Sequence, residues 1–259
     1  MQKKLALKAT LDKAYSEFHS ADFIHDDPIQ IPHRFTEKRD IEIMAFLASI
    51  LAWGQRKTII NSCNKLLKLF ENKPYDFISS HSDEDLKKLI GFKHRTFNDT
   101  DLLYFVSFLK FHYKGAQSLE DGFTMKFETN EEHVGPALIS FHNYFTSLGF
   151  FPSRTRKHIA TPERKSACKR LNMFLRWMVR TDSEGVDFGL WKQIKPSQLL
   201  CPLDVHVENQ ARKLGLIRRK QRDFQTVVEL TRALKEFDPE DPVKYDFALF
   251  GLGIAEKIR

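Results

Sequence analysis

Glycine and cysteine are scarce in this chain, and each scarcity excludes a class of protein. Only 11 of the 259 residues are glycine, which argues against a glycine-rich, nucleotide-binding sheet protein. The three cysteines (Cys63, Cys168 and Cys201) are far apart and form no Cys-x-x-Cys pair, so neither a zinc ribbon nor a cysteine-ligated iron–sulfur cluster is expected. The histidines are scattered, with no H-E-x-x-H spacing. We therefore expect no metal and no cofactor.

Long apolar runs are also missing. No stretch approaches the ~18 apolar residues of a membrane-spanning helix, and the start Met1-Gln2-Lys3-Lys4-Leu5 lacks the apolar core of a signal peptide. We therefore expect a reduced, cytoplasmic protein with no membrane partner. The 41 lysines and arginines outnumber the 34 acidic residues, which gives a net charge of +7 and favours polyanionic partners. The charge alone is also compatible with an RNA- or nucleoprotein-associated helical protein.

Apolar residues recur at helical spacing along most of the chain, and alternating strand patterns are nearly absent. Leu171, Phe174, Leu175 and Met178, for example, form the apolar face of a helix that runs to about Arg180. The prediction is an all-α fold of roughly ten helices.

Two residues at predicted helix starts are candidates for chemistry. Lys169 begins one helix among other cations, and the positive end of the helix dipole, the neighbouring charges and partial burial would all favour the neutral amine of a nucleophilic lysine. Asp204 caps the helix 205–214, and a capping carboxylate is held ionised by backbone N–H groups. A solvated lysine and an ordinary N-cap explain the same two residues, so the local pattern leaves both alternatives open.

A tight polar turn, Trp53-Gly54-Gln55-Arg56-Lys57, separates two apolar helices. It is either a solvated helix–turn–helix corner or a surface that faces a partner.

Two distant features together resemble the helix–hairpin–helix DNA glycosylase superfamily, and its 8-oxoguanine glycosylase branch in particular. They are Lys169 at a helix start after a hairpin and the run Pro202-Leu203-Asp204-Val205-His206-Val207. The longer pattern from S-A-C-K-R-L-N-M-F-L-R-W-M-V-R to D-F-A-L-F-G-L-G is similar to an uncharacterised bacterial family grouped near that superfamily.

The resemblance implies a base-excision-repair glycosylase with AP-lyase activity that flips an oxidised purine out of double-stranded DNA. Lys169 would be the Schiff-base nucleophile and Asp204 the group that stabilises the sugar cation. Gln55 matches the position of a residue that fills the space left by the flipped base. The other DNA-binding residues that we expect are Arg56, Lys57, Arg164, Lys165, Ser166, Arg170 and His206.

The resemblance also implies two helical lobes with an active cleft between them. We expect one lobe over 36–180, containing the hairpin and Lys169, and a second from 1–35 plus 181–259, containing Asp204, in a monomer. Family hairpins are rich in glycine, whereas Lys165-Ser166-Ala167 contains none. A glycosylase-like protein that binds DNA without chemistry is therefore the alternative.

Overall fold

The computed structural model describes residues 2–258, and its fold is all-α, as the helical periodicity predicts. The α-helices of the described residues are, in chain order, α1 (Gln2–Phe18), α2 (Asp22–Asp26), α3 (Lys38–Leu51), α4 (Arg56–Leu69), α5 (Pro74–Ser80), α6 (Asp83–Lys87), α7 (Asp99–Tyr113), α8 (Leu119–Thr124), α9 (Gly135–Phe145), α10 (Lys169–Val179), α11 (Val205–Lys213), α12 (Phe224–Lys235) and α13 (Tyr245–Ile258).

Short connecting elements complete the described structure. Two strands of two residues each, β1 (Lys93–His94) and β2 (Phe97–Asn98), pair antiparallel with Lys93 opposite Asn98. Six 3₁₀ turns occur at Pro28–Gln30, Pro32–Arg34, Ser153–His158, Pro162–Arg164, Pro196–Gln198 and Pro242–Lys244. Five of them begin with proline, whose fixed φ suits the first position of a helical turn.

The described residues divide into two units. The first unit comprises residues 2–25, 129–135 and 161–258, and the second comprises residues 26–128 and 136–160. In the first unit, α13 packs against both α1 and α11. Glycine permits this close approach, because a Cβ at Gly251 would lie 2.1 Å from Phe18 Cγ and one at Gly253 would lie 2.9 Å from His206 Cβ.

The core of the second unit is built around α3, which is buried from Ile41 to Leu51. The Phe46 ring on this helix packs against the rings of Phe105 and Phe141. Glu42 is fully buried there, and its carboxylate accepts hydrogen bonds from the Tyr113 hydroxyl, the Ser118 hydroxyl and the Leu119 N–H. A buried carboxylate is tolerated because these donors satisfy it.

The division differs from the lobes expected from the resemblance. Lys169 and Asp204 lie in the same unit rather than in opposite lobes, since residues 161–180 group with the C-terminal part of the chain. The physical reason lies in α10. Its buried Arg176 pairs with Asp187 and Asp246, and the buried Arg180 at its C-cap pairs with Asp241. All three aspartates lie downstream in the sequence.

Candidate active site

The segment before Lys169 forms a hairpin that contains no glycine. The Thr161 hydroxyl accepts a hydrogen bond from the Glu163 N–H and caps the 3₁₀ turn Pro162–Arg164. Lys165 then takes the left-handed conformation with φ 57°. Cys168 is left-handed as well, with φ 48°, and α10 begins at the next residue. Two left-handed turns thus occur within four residues of Lys169, although an L-residue in this region is strained.

Side chains within the hairpin hold this shape. The Ser166 hydroxyl accepts a hydrogen bond from the Cys168 N–H at 3.2 Å. The Asn172 amide, one turn into α10, donates to the Ala167 carbonyl at 3.1 Å. The Phe224 N–H donates to the Lys165 carbonyl at 3.2 Å, which ties the hairpin to the start of α12.

Lys169 is the first residue of α10 and is half-buried. Asp204 is half-buried at the N-cap of α11, as the sequence predicts. Its Oδ1 accepts hydrogen bonds from the N–H groups of His206 (2.8 Å) and Val207 (2.9 Å). These bonds fix the carboxylate at the positive end of the helix.

A third charged group, which was not among the residues predicted from the sequence, interacts electrostatically with both of these residues. Asp246 lies buried in the first turn of α13, where its Oδ2 pairs with Arg176 Nη1. Burial raises the pKa of Asp246 to about 6; Arg176 opposes the increase, Asp204 adds to it and Lys169 reduces it. Lys169 and Asp204 therefore both lie within electrostatic range of one buried carboxylate.

A lone carboxylate in the apolar run Tyr245-Asp246-Phe247-Ala248-Leu249 is the signal that could have identified Asp246. The Cys201 thiol, three residues before Asp204 in the sequence, donates a hydrogen bond to the Oδ1 atom of Asp246 at 3.9 Å. Burial raises the pKa of Cys201 well above its ordinary value, so this residue is a neutral thiol rather than a thiolate nucleophile.

Behind Asp246 lies a buried ionic network. Arg176 Nε pairs with Asp187 Oδ1 at 3.2 Å, and Arg180 Nη1 pairs with Asp187 Oδ2 at 3.1 Å. Burial raises the pKa of Asp187, and the two arginines oppose the increase. Arg180 also bonds Asp241 at 2.8 Å and the Tyr15 hydroxyl at 2.6 Å. The network holds α10, and with it Lys169, at a defined position in the first unit.

The predicted DNA-binding residues of this unit differ in how far their side chains are exposed to solvent. Arg164 and Lys165 are exposed, and Ser166 is half-buried with its hydroxyl engaged in the hairpin. Arg170 is half-buried, and burial lowers its pKa to about 10, which leaves it charged at neutral pH. His206 packs on α13, where its Nδ1 lies 3.3 Å from the Gly253 carbonyl oxygen.

Gln55, Arg56 and Lys57 belong to the second unit and are exposed where α4 begins. Gln55 is at the N-cap, but its side chain makes no capping hydrogen bond. Beside this turn, the Arg95 guanidinium lies 4.4 Å from the centroid of the Trp53 ring. Arg95 comes from the turn between β1 and β2, and the sequence contained no signal that would bring it to Trp53.

Three further observations concern metals, membranes and thiols. No group of three histidine, cysteine or acidic side chains within the described part of the chain could hold a metal ion. None of the helices over residues 2–258 is both long and apolar enough to cross a bilayer. The three cysteines are buried and unpaired.

The arrangement supplies groups that a nucleophilic site requires: an amine at a helix start, a carboxylate fixed by backbone N–H groups, and a buried carboxyl whose pKa is raised to about 6. No curated protein and no solved structure shows a significant match to the chain. Residues 27–255 match the family described as "Protein of unknown function (DUF2400)". The match spans most of the chain, which therefore belongs to this family.

Proposed function

We propose that the protein is a DNA glycosylase with AP-lyase activity that removes oxidised purines from double-stranded DNA. The observation that carries the proposal is the common electrostatic environment of Lys169 and Asp204 around buried Asp246. The glycine-free hairpin before Lys169 supports it, because its two left-handed residues produce a tight turn that glycine would otherwise make. The resemblance of the Lys169 and Asp204 segments to helix–hairpin–helix glycosylases supports it independently.

In the proposed reaction, the Lys169 amine attacks the sugar carbon C1′ of a flipped-out nucleotide. The glycosidic bond breaks, and the base leaves with the bonding electrons and takes up a proton. The nitrogen loses a proton, and its lone pair then forms the C=N bond of the Schiff base as the C1′–O4′ bond breaks and O4′ is protonated. Asp204 stabilises the cationic sugar, since its charge is held in place by two N–H groups. Asp246 is the candidate acceptor for the amine proton, because its pKa of about 6 allows proton exchange near neutral pH. β-Elimination from the Schiff base then cleaves the strand.

Borohydride trapping tests the covalent step directly. The wild type is incubated with duplexes that carry 8-oxoguanine or an abasic site, and reduction converts the Schiff base to a stable adduct. Lys169→Ala should form no adduct, whereas Lys13→Ala, which replaces an exposed lysine on α1, should form it normally. Asp204→Asn should retain the helix cap, because asparagine caps about as well as aspartate, yet lose at least about tenfold in rate with the charge. Absence of an adduct with the wild type on every common lesion would contradict the proposal.

A second candidate is a protein that binds DNA without chemistry. Neither left-handed hairpin residue is glycine, so a lysine side chain and a cysteine side chain occupy positions where a phosphate would have to approach the backbone closely. Salt-dependent DNA binding that survives Lys169→Ala and Asp204→Asn, together with no base release or cleavage, would favour this candidate.

A further inference from the structure

The connection between α11 and α12 is strongly cationic. Residues 218–222, here called the basic loop, have the sequence Arg218-Arg219-Lys220-Gln221-Arg222, and all five residues are exposed. The predicted functional residues did not include any of them.

Side chains from the flanking helices hold the main chain of the basic loop. The Glu229 carboxylate accepts hydrogen bonds from the N–H groups of Arg218 (3.0 Å) and Arg219 (3.2 Å). The Arg212 guanidinium donates to the carbonyls of Arg219 and Lys220, and the Thr226 hydroxyl donates to that of Gln221. Because the backbone of the basic loop is already fixed, binding of a partner to its side chains costs little backbone conformational entropy.

The ion pairs of the basic loop leave two of its cations available. Arg219 pairs with Asp223 at 2.8 Å, and Arg222 pairs with Glu208. Arg218 and Lys220 are exposed, and neither pairs with a carboxylate among the side chains that the structure describes. A guanidinium and an ammonium group thus face solvent from a fixed backbone.

The basic loop adjoins the hairpin of the candidate site. Phe224, two residues after the loop, donates its N–H to the Lys165 carbonyl, and Arg164 and Lys165 are exposed. The cations therefore follow two connected segments of the surface instead of converging on a cavity. Such an arrangement suits a polymer with regularly spaced phosphates better than a small anion.

We propose that the basic loop binds the phosphate backbone of duplex DNA through Arg218 and Lys220, and so extends the contact surface of the hairpin. The inference rests on the proposed function for the identity of the polymer, but it requires no chemistry at Lys169. Contacts to phosphate are independent of sequence and of lesion, so an undamaged duplex should bind through the loop as a damaged one does.

The test compares two double variants that lose equal charge. Arg218→Gln/Lys220→Gln removes the two available cations of the loop, and Lys3→Gln/Lys13→Gln removes two exposed cations from α1 in the same unit. Affinity for an undamaged duplex is measured by fluorescence anisotropy across a range of salt concentrations. Each lost phosphate contact should reduce the slope of log K against log salt by about 0.9, so the loop variant should be shallower by about 1.8 than the wild type. The α1 variant should keep the wild-type slope.

Borohydride trapping on the same preparations separates this inference from the proposed activity. A shallower slope for the loop variant supports the inference even if the wild type traps no Schiff base, an outcome that would contradict only the covalent mechanism. Equal slopes for the loop variant and the wild type would overturn the inference even with normal trapping. A wild type that binds no duplex at low salt, or a slope that falls equally in both double variants, would overturn it too. Thermal unfolding checks that both variants fold, and their midpoints should lie close to that of the wild type, since substitutions of exposed residues usually change stability little.

Discussion

Asp204 has a structural role that is sufficient to explain its presence, because its carboxylate accepts two backbone N–H groups at the start of α11. A catalytic role does not conflict with this, since the hydrogen bonds that cap the helix also orient the charge. Lys169 is ambiguous in the same way at the start of α10. What distinguishes both residues from ordinary surface groups is the buried Asp246 with which they interact.

The pKa of Asp246, about 6 in the folded protein against an ordinary value of 3.8, makes a prediction about stability. Between these values the folded state binds the proton more tightly than the unfolded state. The contribution of Asp246 to stability should therefore increase as pH falls from about 7 to about 4 and be lost as pH rises through 6. The free energy of unfolding of the wild type and of Asp246→Asn is measured by chemical denaturation across this range. The wild type should gain about 2–3 kcal/mol relative to Asp246→Asn as pH falls from about 7 to about 4.

Asp12→Asn is the matched control for this measurement. Burial alone would raise the pKa of Asp12, but hydrogen bonds from Lys8 and Tyr245 lower it below the ordinary value of 3.8. The ionised Asp12 carboxylate therefore contributes stability above pH 3.8, and this contribution is lost as pH falls through the lowered pKa. The stability difference for Asp12→Asn should stay flat from about pH 7 to about pH 4. A flat difference for Asp246→Asn as well would contradict the inferred environment of Asp246.

At the scale of elements, the hairpin before α10 shows how a turn can form without glycine. Lys165 and Cys168 are left-handed, whereas the intervening Ala167 is not. The hydrogen bonds of Ser166 and Asn172 stabilise the turn, which has no glycine with an intrinsic preference for the left-handed conformation.

Lys165 is strained because its left-handed conformation is unfavourable for any residue with a Cβ, so glycine should have opposite effects on stability at positions 165 and 167. Lys165→Gly should be more stable than Lys165→Ala by up to about 1 kcal/mol, because glycine takes the left-handed conformation of position 165 without a steric penalty. Ala167→Gly should destabilise it by about 0.5–1 kcal/mol, since there glycine adds only unfolded-state entropy. Urea unfolding measures both changes, and the same sign at the two positions would contradict the hairpin geometry.

At the scale of the molecule, the first unit is assembled from three separate stretches of chain, and the network around Arg180 joins two of them, 2–25 and 161–258. Arg180 is 2% exposed and contacts Tyr15 from α1, as well as Asp187 and Asp241. His19, next to α1, lies 3.3 Å from Asp182 in the same region.

Arg180→Leu should destabilise the protein by about 3–5 kcal/mol, because it leaves Asp241 without its arginine and buried Asp187 with one arginine instead of two. Amide hydrogen exchange should increase in α1, although α1 is far from Arg180 in the sequence. Arg232→Leu breaks a pair with Glu132 that is exposed on both sides, and it should cost less than about 1 kcal/mol. Similar losses for the two variants, or unchanged exchange in α1, would contradict the role of the network.

Much of the secondary structure follows from the sequence because its signals are local. Ser82 and Asn98 cap α6 and α7 through residues three positions away, and Asp204 caps α11 in the same way. The short helices α5 and α8 and the β1–β2 hairpin were not predicted, since each is too short for an apolar period to develop.

The helix-start pattern made Lys169 and Asp204 candidates, and the family resemblance gave them their expected roles, while the rest of the candidate site depended on tertiary structure. Arg176 and Asp246 are 70 positions apart, and Tyr15 and Arg180 are 165 apart. A periodic pattern reports which face of a helix is buried, but it does not report which buried charge meets which. That pairing is decided when the helices pack, because a charge that leaves water must find its partner in the folded interior.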